Sequence, residues 1–518
     1  MNILSNLSAS AIDDRVSEYA WQPKTEDDLE SIYQRARKQF SVWKNYSVQE
    51  RIVWLRKLRY HIAENRDRIA NVIHQATGKP FLEALSSEVM MVLESLRFLE
   101  KHAEKLLRPQ KRKTPMILFG KKSYLQFQPR GIVLVISPWN FPFQLAMVPV
   151  IEALAAGNCV LLKPSEWTPS VTELMQSLFH EVGFPEGVVQ VILGDGKTGR
   201  ELIQKHPDFI HFTGSVATGR RIQSLAAEQL IPTTLELGGK DPMIVFADAH
   251  LERAVRGALW GAFCNSGQVC LSVERLYVER SILPVFQELL IQSLAQLCQG
   301  EDIDADLGSM TTMAQIEKVK SQVLEALQQG ATLLAGEHPD HWLENSRKLA
   351  PMLITNVPNH VSLLNEETFG PILPILPFDQ EDEVIELANQ SQLGLGASVW
   401  TADLQRAKRV AAQLVTGNVC LNDVIISIAN PYLPYGGTKE GGIGKYHGAE
   451  GLYAFSIQTS ILLSEGKSPS EMHWFPYAGK SQPLSQLIAS WYGKHKNPFK
   501  LLQAYMKLLN LSRKRNYK

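Results

Sequence analysis

The sequence is poor in the features that announce several large classes of protein. Its five cysteines, Cys159, Cys264, Cys270, Cys298 and Cys420, are odd in number, irregularly spaced and without a CxxC pair. That pattern excludes a disulfide framework and a cysteine zinc site, and it suits a reducing compartment. The chain does not open with a basic stretch followed by an apolar core, so no secretory signal is expected and a cytoplasmic protein is. The most apolar stretch, Gly131 to Leu162, contains Glu152 and is broken by Pro138, Pro142 and Pro149, so it reads as a buried βαβ piece and not as a membrane span. Charge of one sign is not in excess, because basic and acidic residues both number 53; nothing in the balance calls for nucleic acid. Internal repeats and low-complexity segments are lacking. No metal is expected: Asp302, Asp304 and Asp306 imitate the start of a calcium loop, but Leu307 and Met313 stand where its glycine and glutamate belong. His338 and His341 read as a surface loop with no completing carboxylate.

What is present is a chain of 518 residues, 45% hydrophobic, long enough for two or three domains. The first hundred residues are helical in pattern. Asp27 to Lys44 has apolar residues at helical spacing, and Ser47-Val-Gln-Glu50 is a capping box leading into one helix that stops at Gly78. A further helix is expected from about Phe81 to Leu107, then a basic, proline-punctuated stretch and a short strand, Ser123 to Gln128. From Gly131 the text changes to apolar runs (GIVLVISP, NCVLLKPS, VVQVILG, FIHFTGS, TLELGG) separated by helix-length intervals. This is the pattern of a doubly wound parallel sheet, an α/β architecture that binds ligands outside the carboxyl ends of its strands. A second α/β block follows from about Asp241 to Thr438, and Ser456 to Leu463 alternates like an edge strand.

The stretch from Leu235 to Cys270 carries the chemistry. Glu236 precedes two glycines, and 34 residues later Cys270 follows Ser-Gly-Gln-Val, so a base and a soft nucleophile each lie beside flexible backbone. A thiolate attacks carbonyls, and a carboxylate can draw a proton from the water that releases the acyl group. Taken singly, such a pair is more often a buried cysteine and a surface glutamate. Two glycine patterns compete for a nucleotide. Gly194-Asp-Gly196-Lys-Thr-Gly199 satisfies GxGxxG, but Val191 stands where a phosphate loop needs glycine and no acidic ribose ligand follows. Phe212-Thr213-Gly214-Ser215, with Gly219 four residues on, is the better candidate for a strand-to-helix turn facing a pyrophosphate.

LELGGK with GQVC resembles the active-site signatures of the NAD(P)-dependent aldehyde dehydrogenase superfamily, and the likeness extends over roughly residues 25 to 465. The resemblance implies that Cys270 is the nucleophile and Glu236 the general base. In Pro138-Trp139-Asn140-Phe141-Pro142 the Asn140 amide, with the backbone N–H of Cys270, would form the oxyanion hole, and Trp139 would border the cofactor. Lys163-Pro-Ser165-Glu166 matches the segment that grips the adenosine ribose. Thr213, Gly214, Ser215 and Gly219 match the pyrophosphate turn. Glu366-Glu367-Thr-Phe369-Gly-Pro371 matches the motif in which Glu367 holds the nicotinamide ribose and Phe369 packs near the nicotinamide. Gly417 to Asn422 matches a later family segment. The cofactor implied is NAD, with NADP as the alternative: a carboxylate such as Glu166 bonds a ribose 2′-hydroxyl and repels a 2′-phosphate, although Lys163 lies three residues away. Relatives that transfer the acyl group to coenzyme A lack a carboxylate at the position of Glu236, so a free acid is the expected product.

The same likeness implies a Rossmann-type dinucleotide-binding domain at 1–108 and 131–236 and a catalytic domain at 237–438. Oligomerisation strands are implied at 109–130 and 455–465, and with them a homodimer or higher homo-oligomer. The residues alone leave open a nucleotide-free cysteine hydrolase or a catalytically idle scaffold. Trp260, Phe143, Ile425 and Ile426 hint at an apolar mouth for an aldehyde of unspecified kind, with lipophilic aldehydes favoured. Residues 466–518 form a basic extension. From Met472 to Lys518 there are nine Lys or Arg and no Asp or Glu. Within Phe499 to Lys514 the polar positions Lys500, Gln503, Lys507, Asn510 and Lys514 fall on one helical face and Leu502, Tyr505, Met506 and Leu509 on another. Such a helix suits peripheral contact with an anionic membrane.

Overall fold

The computed structural model describes residues 25–300, 304–467 and 470–513. The chain divides into two compact units, one of residues 1–108 and 127–458 and one of 109–126 and 459–518.

The first unit contains two large sheets. In the first, the strands run in the order Gly442–Ile443, Thr233–Glu236, Phe209–Thr213, Ile132–Ile136, Cys159–Lys163, Val189–Val191, and only the Gly442 strand is antiparallel. Counted along the chain from Ile132, the five parallel strands are ordered 5-4-1-2-3, so the winding reverses between Ile132–Ile136 and Phe209–Thr213. Such a reversal splays the loops at the carboxyl ends and opens a crevice there. Ile132–Ile136, Cys159–Lys163 and Phe209–Thr213 are buried at every position because helices cover both faces of the sheet. One of these, Gln144–Ala156, is buried at every position, Pro149 and Glu152 included, as expected of a helix apolar all round. The second sheet runs Thr332–Ala335, Met352–Thr355, Ile372–Phe378, Val273–Glu279, Asp241–Val245, Gly396–Trp400, Asn418–Leu421, with only the first strand antiparallel.

The amino-terminal helices follow the sequence with two differences. Capping boxes at Thr25/Asp28 and Ser47/Glu50 start the helices Glu26–Trp43 and Val48–Glu64. The single helix expected to reach Gly78 is broken at Asn65, whose side-chain amide bonds the His61 carbonyl; a new helix runs Arg66–Thr77. An asparagine competing for backbone groups is a physical cause of such a break. The expected helix from Phe81 contains a π-turn at Ala84–Val89 before Met90–Leu107. The GxGxxG stretch is an N-cap: Asp195 accepts the Lys197 and Thr198 N–H groups, both at 3.0 Å, and starts the helix Gly196–Gln204.

A third sheet has three strands, Gln110–Arg112, Lys121–Pro129 and Ser456–Ser464, one more than expected. The helices of the second unit, Ser481–Tyr492 and Pro498–Arg513, pack through Leu487, Ala504 and Leu508. On the last helix, Leu502 and Met506 of the expected apolar face point outward, 60% and 49% exposed, while Ala504 and Leu508 face the partner helix. Lys514 of the expected polar stripe lies outside the described residues, as does Asp302 of the acidic turn. Among the described residues, no helix is long and apolar enough to cross a membrane.

Candidate active site

The crevice at the winding reversal is a cavity of about 180 Å³. The turn after Ile132–Ile136 brings Pro138, Trp139 and Asn140 to it, and the turn after Phe209–Thr213 brings Thr213, Gly214 and Ser215. Cys270, Glu367 and Phe369 arrive from distant parts of the chain. Of the thirteen expected site residues, these eight (Asn140, Cys270, Trp139, Thr213, Gly214, Ser215, Glu367 and Phe369) share one cavity. Lys163, Ser165 and Glu166 stand at the end of the neighbouring strand, outside its wall. Gly219 sits one turn into the helix Val216–Glu228, against Leu237.

The segment before Cys270 is held in an unfavourable conformation. Asn265, Ser266 and Gly267 are all left-handed, with φ of 49°, 55° and 71°, at a cost of about 1–3 kcal/mol for each non-glycine. Specific bonds maintain it. The Asn265 N–H donates to the Glu83 carboxylate (2.9 and 3.1 Å), and its side-chain amide donates to the carbonyls of Asn140 (3.0 Å) and Gln268 (3.1 Å). The Asn140 loop is fixed in turn by a buried ion pair absent from the sequence reading. Lys79 Nζ lies 2.6 Å from Glu88 and donates to the Asn140 carbonyl at 2.7 Å, while Glu88 accepts the Phe143 and Gln144 N–H groups. Two opposite charges nine residues apart carry no signal of burial in sequence; only folding pairs them. Asn140 Nδ2 donates to the Gln268 carbonyl at 3.0 Å, which uses one of the two donors of that amide.

Cys270 Sγ lies 3.2 Å from the Tyr435 hydroxyl. Burial pushes the thiol up to about 12, and the Tyr435 hydrogen bond partly opposes this. Tyr435 escaped the sequence reading because it lies in a glycine-rich segment that reads as a turn. Phe143, in contrast, was expected at an apolar mouth and is fully buried in the core: its helix-opening N–H is tied to Glu88, which turns the ring inward.

Glu236 is 2% exposed, and neither carboxylate oxygen has a hydrogen-bond partner among the described residues. Burial raises its pKa well above the usual carboxylate range, and the positive charge of Lys445 opposes the shift. Gly436, at φ 149°, makes room for it, since a Cβ there would stand 2.8 Å from Glu236 Oε1. Gly239 explains the second glycine of the Glu236 segment: a Cβ would meet the Cys270 carbonyl oxygen at 2.2 Å, so the two segments approach as closely as bare backbone allows. A base works only when deprotonated, so activity limited by Glu236 rises with pH. Lys445→Met removes the cation that lowers the Glu236 pKa and moves the rising limb of the kcat profile to higher pH. About tenfold lower kcat at pH 7, recovered at higher pH, is the expected outcome; an unmoved limb would show that Lys445 does not act on Glu236.

On the other side of Cys270, Glu367 accepts the Gly239 N–H at 3.2 Å, and burial, helped by repulsion from Glu274, raises it to about 7. Glu274 pairs with Lys240 at 2.6 Å and accepts the N–H groups of Thr368 and Phe369. Those bonds hold Phe369 at φ 57°, with its ring edge-on to Trp139, centroids 5.6 Å apart. Ser215 caps the 13-residue helix Val216–Glu228, its Oγ accepting from the Thr218 N–H. Lys163 Nζ is 3.2 Å from Glu166, and Ser165 accepts from the Trp167 N–H. A helix N-terminus for phosphates, a poorly partnered carboxylate for a ribose and an aromatic pair along one sheet edge fit a dinucleotide.

Comparison with known proteins agrees with this geometry. The profile of the aldehyde dehydrogenase family matches residues 15–461. A 4,4'-diapolycopene aldehyde oxidase from Methylomonas sp is 43% identical over 445 residues, covering 86% of this chain and 83% of that protein. A 4,4'-diaponeurosporen-aldehyde dehydrogenase from Staphylococcus aureus (strain NCTC 8325 / PS 47) is 32% identical over 454 residues, 87% of this chain and 97% of its own. The crystal structure of an NAD-dependent aldehyde dehydrogenase from Sinorhizobium meliloti superposes with a TM-score of 0.83 at 32% identity, covering 88% of this chain and 90% of that one. A cysteine and a carboxylate brought together at a dinucleotide crevice, in a chain alike to these proteins over most of its length, leave one assignment: it belongs to the aldehyde dehydrogenase family, enzymes that oxidise an aldehyde to a carboxylic acid with a nicotinamide dinucleotide.

Proposed function

We propose that this enzyme acts on long apolar aldehydes, prefers NAD+ and works as a homo-oligomer at a membrane surface. The observation that carries the substrate class is the apolar surround of the nucleophile. Leu145 lines the cavity beside Cys270, and Phe141, Ile425 and Ile428 pack half-buried on the same core as Cys270 and Val269. The two relatives above, named for 4,4'-diapolycopene aldehyde and 4,4'-diaponeurosporen-aldehyde, support the same reading.

The residues have the following roles. The Cys270 thiol gives up its proton to water and its Sγ bonds to the aldehyde carbon as the C=O π bond breaks; the resulting oxyanion is received by the Asn140 amide and the Cys270 N–H, each donor contributing about 3–4 kcal/mol. Trp139 and Phe369 shape the face beside Cys270, Glu367 binds the nicotinamide ribose, Ser215 and the helix N-terminus bind the pyrophosphate, and Lys163 and Glu166 bind the adenosine ribose. A bound dinucleotide would supply the hydride acceptor that lets the Cys270 adduct become a thioester. Glu236 then takes a proton from water as that water attacks the thioester carbon, and Cys270 leaves with the acid released. The Glu166 carboxylate supports NAD+ over NADP+.

A series of saturated and polyene aldehydes assayed by NADH formation tests the substrate class. kcat/KM is expected to rise about threefold per added methylene over the shorter members, and a preference for short polar semialdehydes would overturn it. Oligomerisation is supported by the exposed edge of the small sheet, where Ile457, Leu462 and Leu463 remain 44–49% exposed in the single chain. A sedimentation mass of one chain at micromolar concentration would refute it. Membrane contact is supported by the cationic extension.

A further inference from the structure

The second unit exposes more apolar surface than its own packing uses. Ser481–Tyr492 turns Leu484, Ile488, Trp491 and Tyr492 outward at spacings of four, three and one, with 43%, 47%, 36% and 68% exposure. On Pro498–Arg513, Phe499, Leu502 and Met506 form a second outward stripe, distinct from the face that packs through Ala504 and Leu508. A third element comes from far away in sequence: the turn of Met116, Ile117 and Phe119, exposed by 59%, 53% and 76%. Apolar surface on this scale, gathered in one small unit, marks an interaction site.

These elements enclose a cavity. Its volume is about 460 Å³, and its wall includes Ile117, Phe119, Trp491, Tyr492, Leu501 and Leu502, with no charged side chain in it. The volume falls within the roughly 300–1,000 Å³ of small-molecule sites. Around it the charge has one sign. After Glu471 the chain contains no acid, and among the described residues Lys494, Lys496, Lys500 and Lys507 form no ion pair. Lys500 and Lys507 lie on the helical face next to Phe499, Leu502 and Met506. Indole and phenol rings, with an apolar body and a polar edge, suit the boundary between headgroups and acyl chains.

Resting on the reading of membrane contact above, we propose that this cavity is an acyl-chain site for an anionic phospholipid. One chain enters between the Met116–Phe119 turn and the two helices, the exposed stripes enter the interface, and the lysines meet the headgroups. The turn is thus a membrane element in its own right, 350 residues and more from the extension that carries the charge. A second copy of the chain as occupant fits less well, because it would need acidic groups opposite the lysines and would leave the aromatic rim without its wet side.

The test uses full-length protein and vesicles of phosphatidylcholine with or without phosphatidylglycerol. Flotation is expected on the anionic vesicles only and is weakened by salt. Ile117→Ser/Phe119→Ser, which leaves every lysine in place, is expected to reduce partitioning about tenfold or more, with unchanged oxidation of a short soluble aldehyde as proof of folding. Phospholipid brominated along the acyl chain is expected to quench Trp491, read as quenching lost in Trp491→Phe. If full-length protein does not float, the membrane reading fails and this proposal with it. If the double variant floats as well as the wild type and bromine does not reach Trp491, the extension binds membranes but the acyl-chain site is overturned. A double variant that loses oligomeric mass in sedimentation without any wild-type quenching would assign the surface to a second copy, and would also overturn it.

Discussion

Cys270→Ala is expected to abolish aldehyde oxidation, lowering kcat/KM by at least about 10⁴-fold, while NAD+ affinity changes little. Removing a covalent nucleophile takes away the reaction path itself and not one contribution to it. The residues suited to the dinucleotide, Ser215, Lys163, Glu166 and Glu367, belong to other elements and do not depend on the sulfur. Cys264→Ala is the matched control. Cys264 is 8% exposed, lines a different cavity behind the strained loop, and its thiol is raised well above the ordinary cysteine range by burial and by the neighbouring Glu83. NADH absorbance gives activity and fluorescence titration gives NAD+ binding. A dead Cys264→Ala beside a normal Cys270→Ala would reverse the assignment.

Glu236→Gln is expected to separate the two halves of the reaction. Hydride transfer comes before the step that needs a base, so the variant releases about one NADH per site in a burst and then turns over about 10²–10⁴-fold more slowly. Unimpaired steady turnover would remove Glu236 from the role. The same substitution carries a stability signature. Burial raises the Glu236 pKa above its unfolded value, so the folded state holds its proton to higher pH than the unfolded state does. Below the unfolded pKa both states are protonated and nothing is gained by glutamine. As pH rises above it the unfolded state ionises first, and the cost of the buried carboxyl grows until the folded pKa is passed. Glutamine has no charge to bury and loses no hydrogen bond, since the carboxylate has none. The melting temperature of Glu236→Gln is therefore expected to equal that of the wild type near pH 4 and to exceed it by a few degrees at pH 8. A base kept in an apolar pocket at a cost in stability accords with a general trade between stability and activity.

Much of this was legible in the linear chain, for local reasons. Ser47 and Glu50 lie three residues apart and form their cap whatever surrounds them. The apolar runs from Gly131 could be nothing but strands buried on both faces, and parallel pairing followed from the helix-length intervals between them. The motifs around Glu236, Cys270, Phe212 and Glu367 were readable because each is a short contiguous segment in or next to a strand, where side-chain identity and backbone shape are specified together.

What only the tertiary structure decided are the relations between charges and surfaces distant in sequence. Lys79, in the break between two expected helices, and Glu88, within the second, were unremarked charges until they met at 2.6 Å. Tyr435 and Lys445 stand beside Cys270 and Glu236 only because Gly436 lets that late segment close in on the carboxylate. On the last helix, periodicity finds an apolar face but not what covers each side of it. Leu502 and Leu508 are equally apolar, and it is the neighbouring helix, arriving through Leu487, that buries one and leaves the other exposed. Burial, and with it the raised proton affinity of Glu236 and Cys270, is set by everything packed around a side chain, which a one-dimensional pattern does not contain.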